Sequence, residues 1–210
     1  MSDPQVTKLV SHLRDTIGTD LPDWPGGWPG QIECALLDAI FSIRARYGGP
    51  SSGVRAVVRR WGDHRGGIRA DDLTALADMD GANLAEILSN HSKVSGRLKS
   101  EVVSDAAAAL VQAGLRRSED FTASAEQKSA YLSVRGCGPV TWSYFGMLLG
   151  RPDVKADTWV TRFVREGVED SSLSAEGTRQ LVVSAAQVYG ASASQLDHAI
   201  WLTARGSNRV

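Results

Sequence analysis

Apolar residues recur along this chain at helical spacing, three or four positions apart, with polar residues filling the intervals. Leu36, Ile40, Ile43 and Tyr47 follow that spacing with Leu37 and Phe41 beside them. Val102, Val103, Ala106, Ala107, Leu110 and Val111 make a second stripe. Two more lie at Leu181, Val182, Ala185 and Val188, and at Leu196, Ala199 and Ile200. The first twenty residues place Val6, Leu9, Val10 and Leu13 on one face of a possible helix. Stripes of this kind gain stability by packing against one another, because each leaves one side of its helix apolar. Alternating, strand-like runs are scarce. The pattern predicts an all-α chain of roughly nine or ten helices of ordinary length.

Start and stop signals agree with that reading. Ser124 with Gln127, and Ser192 with Gln195, have the spacing of a capping box, in which a hydroxyl and an amide satisfy free backbone donors at a helix start. The proline- and glycine-rich stretch 21–30, and the segments 47–53 and 61–67, are expected to be loops. None of the three has the length or bias of a flexible interdomain linker, and no fixed-period repeat is visible.

With 210 residues, of which 42% are hydrophobic and 22% charged, the chain can bury a substantial core. Its formal net charge of −1 means that any surface for nucleic acid must be local. Cys34 and Cys137 are the only cysteines, which excludes a four-cysteine iron–sulfur cluster, a cysteine-only zinc site and a disulfide framework. The expected compartment is a reducing cytoplasm. His12, His64, His91 and His198 show no metal-ligand spacing, so no metal site is expected. The N-terminus lacks an apolar export signal, and no apolar run is long enough to span a membrane.

Gly136 and Gly138 flank Cys137 between a segment carrying Tyr131 and Leu132 and another carrying Val140, Tyr144 and Leu148. Glycines free the backbone to turn its N–H groups toward an anion, and a following helix adds the positive end of its dipole. Such a turn suits a phosphate, and it equally suits a plain connection between antiparallel helices. Further on, Asp157 stands just before the apolar-faced segment from Thr158. A carboxylate there can cap a helix, or it can serve as a fixed negative charge for chemistry.

Val134-Arg135-Gly136-Cys137-Gly138-Pro139-Val140-Thr141-Trp142, followed by Val154-Lys155-Ala156-Asp157-Thr158-Trp159-Val160-Thr161-Arg162, resembles the signature of the helix-hairpin-helix DNA glycosylases. That superfamily includes endonuclease III and the adenine-mismatch and alkylpurine glycosylases. The family pattern reads Leu-Pro-Gly-Val-Gly-x-Lys-Thr-Ala, then about fifteen residues to an apolar residue, any residue and an aspartate. The similarity extends upstream through the segment from Ala35 to Arg46, and through Leu84–Leu88 to Lys93, Leu98 and Lys99.

The resemblance implies two helical lobes with a cleft between them. One lobe is expected at about residues 35–150, including the hairpin, and the other from residues 1–34 with 151–210. It implies DNA-backbone contacts from Gly136, Cys137, Gly138, Val140 and Thr141, a monovalent cation on the hairpin carbonyls in some members, and Asp157 as the catalytic carboxylate. Arg44 falls where family members place the residue that fills the gap left by a flipped nucleotide. Val140 replaces the family's nucleophilic lysine, and a valine cannot form an imine. The implied activity is therefore that of a monofunctional glycosylase that uses water and needs no cofactor.

Arg135, Trp142 and Trp159 depart from the family's usual proline, alanine and histidine. Trp142 and Trp159, with Trp24 and Trp28 from the loop before Ile32, are candidates for a base pocket, because an indole stacks on an extruded base. Each is also an ordinary core residue type. Residues 131–165 carry five arginines and lysines against two aspartates. A second basic run comprises Arg44, Arg46, Arg55, Arg59, Arg60, Arg65 and Arg69. Facing DNA, these would supply phosphate contacts; otherwise they are solvated helix faces. The expected partner is duplex DNA bearing a damaged or modified base, bound by a monomer with no membrane involved. The alternative is a protein of the same fold that recognises distorted DNA without cutting it.

Overall fold

The computed structural model describes residues 3–45 and 52–206. Arg46 and Tyr47 lie outside the described residues. Eleven α-helices, one short 3-10 turn and one two-residue β-hairpin make up the regular structure among those described, so the chain is all-α. The helices are α1 Pro4–Thr16, α2 Ile32–Phe41, α3 Gly53–His64, α4 Thr74–Ala77, α5 Gly81–Leu88, α6 Lys99–Gln112, α7 Ala125–Ser133, α8 Pro139–Leu148, α9 Thr158–Val168, α10 Ala175–Tyr189 and α11 Ala193–Gly206. Strand β1, Lys93–Val94, pairs antiparallel with β2, Arg97–Leu98. No described helix is long and apolar enough to cross a membrane.

The chain forms two compact units, one from Gly27–Gly150 and one from Met1–Gly26 with Arg151–Val210. The first boundary falls at residue 26 rather than 34, and backbone contacts explain the difference. Trp28 N–H donates to the Leu148 carbonyl at 2.6 Å, and a Cβ on Gly27 would overlap that same carbonyl. The loop before α2 is thereby fixed to the end of α8, and only glycine permits the approach.

In the larger unit α2 is buried on every side, with α3, α6 and α8 packed around it. Two acids are enclosed with it. The Glu33 carboxylate accepts from Trp61 Nε1 at 2.7 Å and from the Asp72 amide at 2.9 Å, and pairs with Arg65 Nε at 3.1 Å. Burial pushes the Glu33 carboxyl above its ordinary range, and those donors pull it back. Asp38 accepts from Trp28 Nε1 at 3.0 Å and from the Tyr144 hydroxyl at 3.2 Å.

Three expectations from the periodicity need correction. Helix α2 ends at Phe41, short of Ile43, because Arg44 adopts a left-handed conformation (φ 49°) and Lys99 takes over the last carbonyls. Helix α3 continues through Trp61 to His64, where a loop was expected, since the Trp61 indole is drawn inward by Glu33. Val188 is 55% exposed, so the α10 stripe ends before it.

The smaller unit packs α1 on α9 and α10, and α11 on α9 and α10. Its core joins Val6, Leu9, Val10 and Leu13 to Val160, Phe163, Val164, Val182, Ala185, Leu196 and Ile200. Ser192 Oγ accepts the Gln195 amide at 3.1 Å, as a helix cap should. Ser124 likewise accepts from Gln127, but the Gln127 side chain does not return the bond to Ser124. Its Oε1 takes the amides of Thr122 and Ala123 instead, which ties the preceding loop to α7.

Candidate active site

Two places carry the residues singled out by the sequence, one in each unit. In the larger unit α7 ends at Ser133, a tight turn follows, and α8 begins at Pro139. The turn closes through the Cys137 amide donating to the Val134 carbonyl at 3.0 Å, with Gly136 at φ 114°, a value that side-chain-bearing residues rarely adopt. Thr141 Oγ1 accepts the Gly138 amide at 3.1 Å and donates to the Gly138 carbonyl at 2.9 Å. Proline at the first helical position has no amide to satisfy. The amides of Val140 and Thr141 therefore stand at the start of α8 with no acceptor among the described residues. A Cβ placed on Gly138 would meet no atom within 4 Å among the described residues.

The Cys137 thiol is half-buried beside the buried Tyr131 phenol, and desolvation pushes its pKa up to about 11. The carbonyls of Val134 and Gly138 both accept hydrogen bonds within the chain.

Trp142 lies in the core of this unit, 6% exposed, with its ring 5.3–6.0 Å from those of Phe121, Tyr131 and Phe145. It packs α8 onto α7 and is not presented to a ligand. Trp28 is half-buried and anchored through Asp38. Arg44 is exposed and borders a cavity of about 250 Å3 that Phe41, Val54, Val57, Asn90 and Lys99 also line. Much of the second basic run has internal partners: Arg60 donates to the Leu88 carbonyl, Arg65 pairs with Glu33, and Arg69 donates to the Gly30 carbonyl.

The smaller unit holds Asp157. Its backbone is extended, and Oδ1 accepts the amides of Trp159 at 2.8 Å and Val160 at 3.1 Å, capping α9. Oδ2 has no partner among the described residues. Capping and chemistry are thus separable at this residue, since the two amides engage one oxygen and leave the other. Trp159, at the start of α9, is half-buried beneath the Arg162 guanidinium at 4.8 Å. Across α11 the rings of His198 and Trp201 lie 6.2 Å apart and nearly parallel, Arg205 sits 4.4 Å from the Trp201 ring, and Trp24 meets His198 edge-on at 5.5 Å. Of the four proposed pocket tryptophans, Trp24 and Trp159 share the unit of Asp157; Trp28 and Trp142 belong to the other.

Sequence reasoning missed Asp197, which is 4% exposed and has Asp157 as its strongest charged neighbour. A signal was present: Asp197 falls on the apolar face of α11, three residues before Ile200 and seven before Ala204. No three His, Cys, Asp or Glu side chains among the described residues come together to hold a metal ion.

The chain belongs to the DUF8548 family, a domain of unknown function, whose model matches residues 7–205. No curated protein and no solved structure matches it.

Proposed function

We propose that this protein is a monofunctional DNA glycosylase that hydrolyses the N-glycosidic bond of an extruded damaged or modified base. The observation that carries the reading is the succession of α7, the Gly136 turn and α8, followed by Asp157 capping α9 with one oxygen left over. The open amides of Val140 and Thr141 suit a backbone phosphate, which would position the strand without reading its sequence.

Cleaving the bond between C1′ and the base nitrogen sends the electron pair to the base and leaves positive charge on the sugar. A carboxylate oxygen at that carbon lowers the barrier electrostatically. In this reading Asp157 Oδ2 stabilises the cation and takes a proton from the water whose oxygen bonds to C1′, while the departing base gains a proton. Val140 stands where an imine-forming lysine would, so the product is an abasic site with the strand intact. The half-buried indoles of Trp24, Trp159 and Trp201 offer stacking faces in the unit that carries Asp157.

The test is single-turnover incubation with duplexes bearing a panel of damaged and modified bases, scored with and without alkali, for the wild type and Asp157→Asn. Strand breaks that appear only after alkali and vanish in Asp157→Asn are the expected result. DNA binding without cleavage of any duplex in the panel would replace this reading with that of a noncatalytic protein recognising distorted DNA.

A further inference from the structure

Lys99, in the first turn of α6, is 3% exposed, and no carboxylate among the described residues pairs with it. Its ammonium has three N–H donors. Two go to the carbonyls of Phe41 at 3.0 Å and Ile43 at 2.7 Å, and the third has no acceptor among the described residues. A buried charge is costly unless an opposite charge meets it, and carbonyl dipoles offset only part of that cost. Burial accordingly lowers the Lys99 ammonium below its ordinary pKa, with no charged group opposing the shift.

Lys99 lines the cavity of about 250 Å3, and no acid is among the residues that surround that space. Its apolar wall is Phe41, Val54 and Val57, none more than 2% exposed. Gly53, the first residue of α3, borders it, and the Ser52 side chain does not cap that helix, so the positive end of the α3 dipole adds to the field of Lys99. Arg44 stands exposed at the rim. Asn90 Oδ1 accepts the Ser92 amide at 3.0 Å, which leaves the Asn90 NH2 group as a donor at the same cavity. We propose that this cavity binds a small organic monocarboxylate, its carboxylate on Lys99 and its apolar body against Phe41, Val54 and Val57. The site lies wholly within the larger unit and is independent of the chemistry assigned to Asp157.

Charge and size select this ligand. One ammonium is enclosed, so one carboxylate neutralises it; a phosphate dianion would bring a second charge that only the exposed Arg44 could meet. The buried wall favours an apolar partner. The volume falls below the roughly 300 Å3 at which pockets for drug-sized ligands begin, so the body is a single ring or a short branched chain rather than a nucleotide or a long acyl chain. The carboxylate takes the third Lys99 donor and joins the end of α2 and the start of α3 to α6. Binding therefore stabilises the fold, because the unfolded chain has no such site.

The test is calorimetric titration and thermal unfolding of the whole chain with benzoate, 3-methylbutanoate and phenyl phosphate, for the wild type, Lys99→Met, Val54→Phe and Asp157→Asn. We expect one molecule of benzoate or 3-methylbutanoate to bind per chain and raise the melting temperature. Lys99→Met should weaken binding roughly tenfold or more, the scale of a charge-assisted hydrogen bond. Val54→Phe, whose added ring occupies the cavity, should abolish it, and Asp157→Asn should leave it unchanged. Intermolecular NOEs from the bound acid to the methyl groups of Val54 and Val57 locate it without any variant, and so decide the matter if a variant does not fold. No effect of either carboxylate at millimolar concentration, equal affinity in Lys99→Met and Val54→Phe, or NOEs only to other parts of the chain would overturn the proposal. Tighter binding of phenyl phosphate than of both carboxylates would overturn the choice of a monocarboxylate.

Discussion

The Lys99 ammonium, from the first turn of α6, donates to the Phe41 carbonyl at 3.0 Å and to the Ile43 carbonyl at 2.7 Å, and so terminates α2. The last carbonyls of a helix lack intrahelical donors, and a cation suits the negative end of the dipole. Lys99 is 3% exposed, so water cannot replace it. Replacing it with methionine keeps the stem and leaves the Phe41 carbonyl buried without its donor, a change expected to cost about 2 kcal/mol. Chemical denaturation measures that loss, and amide exchange at Ser42 and Ile43 should accelerate with it. An unchanged midpoint would mean that the bond contributes nothing net.

Two glycines make opposite predictions because of what a methyl group would meet. At Gly27 it would overlap the backbone of Leu148, which neither side can relieve by rotating a side chain. Gly27→Ala should cost about 2 kcal/mol through forced displacement. Gly62, within α3, faces no atom within 4 Å. Gly62→Ala should stabilise the chain by up to about 1 kcal/mol through helix propensity. Thermal unfolding of the two variants beside the wild type gives both signs in one experiment.

The helical class was legible because apolar spacing survives in almost every segment, and α1, α6 and α11 lie where their stripes predict. The ends of α2 and α3 were not legible. Both depend on single side chains distant in sequence, Lys99 for one and Glu33 for the other, and periodicity carries no information about such partners. At the candidate site, the turn at Gly136 and the capping role of Asp157 follow from local residue types. Trp142 and Trp159 could not be told apart from sequence, since the same indole fills the core in one case and lies half-open beneath a guanidinium in the other. Asp197 could have been noticed as an acid inside an apolar stripe, but its relation to Asp157 exists only once α11 is packed on α9.

The two thiols should be nearly inert in the folded chain. Desolvation raises the Cys34 pKa to about 12 and the Cys137 pKa to about 11, so almost no thiolate is present at neutral pH. A disulfide-exchange reagent at neutral pH should label Cys137 slowly and the buried Cys34 only on unfolding. Rapid labelling of Cys137 in the folded chain would mean that the turn opens and its thiol escapes the Tyr131 side.

Asp72 gives a pH-dependent signature with a definite sign. The Arg116 guanidinium donates to both carboxylate oxygens, at 3.0 and 2.6 Å, and holds the Asp72 carboxyl well below the ordinary carboxylate range. A carboxyl with a lowered folded pKa stabilises the fold above its unfolded value, and that contribution is lost as the pH falls through the folded value. Arg116→Gln should therefore lower the melting temperature at neutral pH, with the gap to the wild type closing only in strong acid. A gap independent of pH would assign the loss to packing of the arginine stem.

Asp157 permits a clean separation of stability from chemistry. Its Oδ1 caps α9 through the Trp159 and Val160 amides, a role serine performs about as well and alanine does not. Asp157→Ser should keep the stability within a few tenths of a kcal/mol, while Asp157→Ala should lose about 1 kcal/mol. Both remove the negative charge, so if Asp157 stabilises a glycosyl cation the two variants should be equally inactive on a duplex that the wild type cleaves. Activity that follows melting temperature, with serine active and alanine impaired, would make Asp157 a helix cap alone.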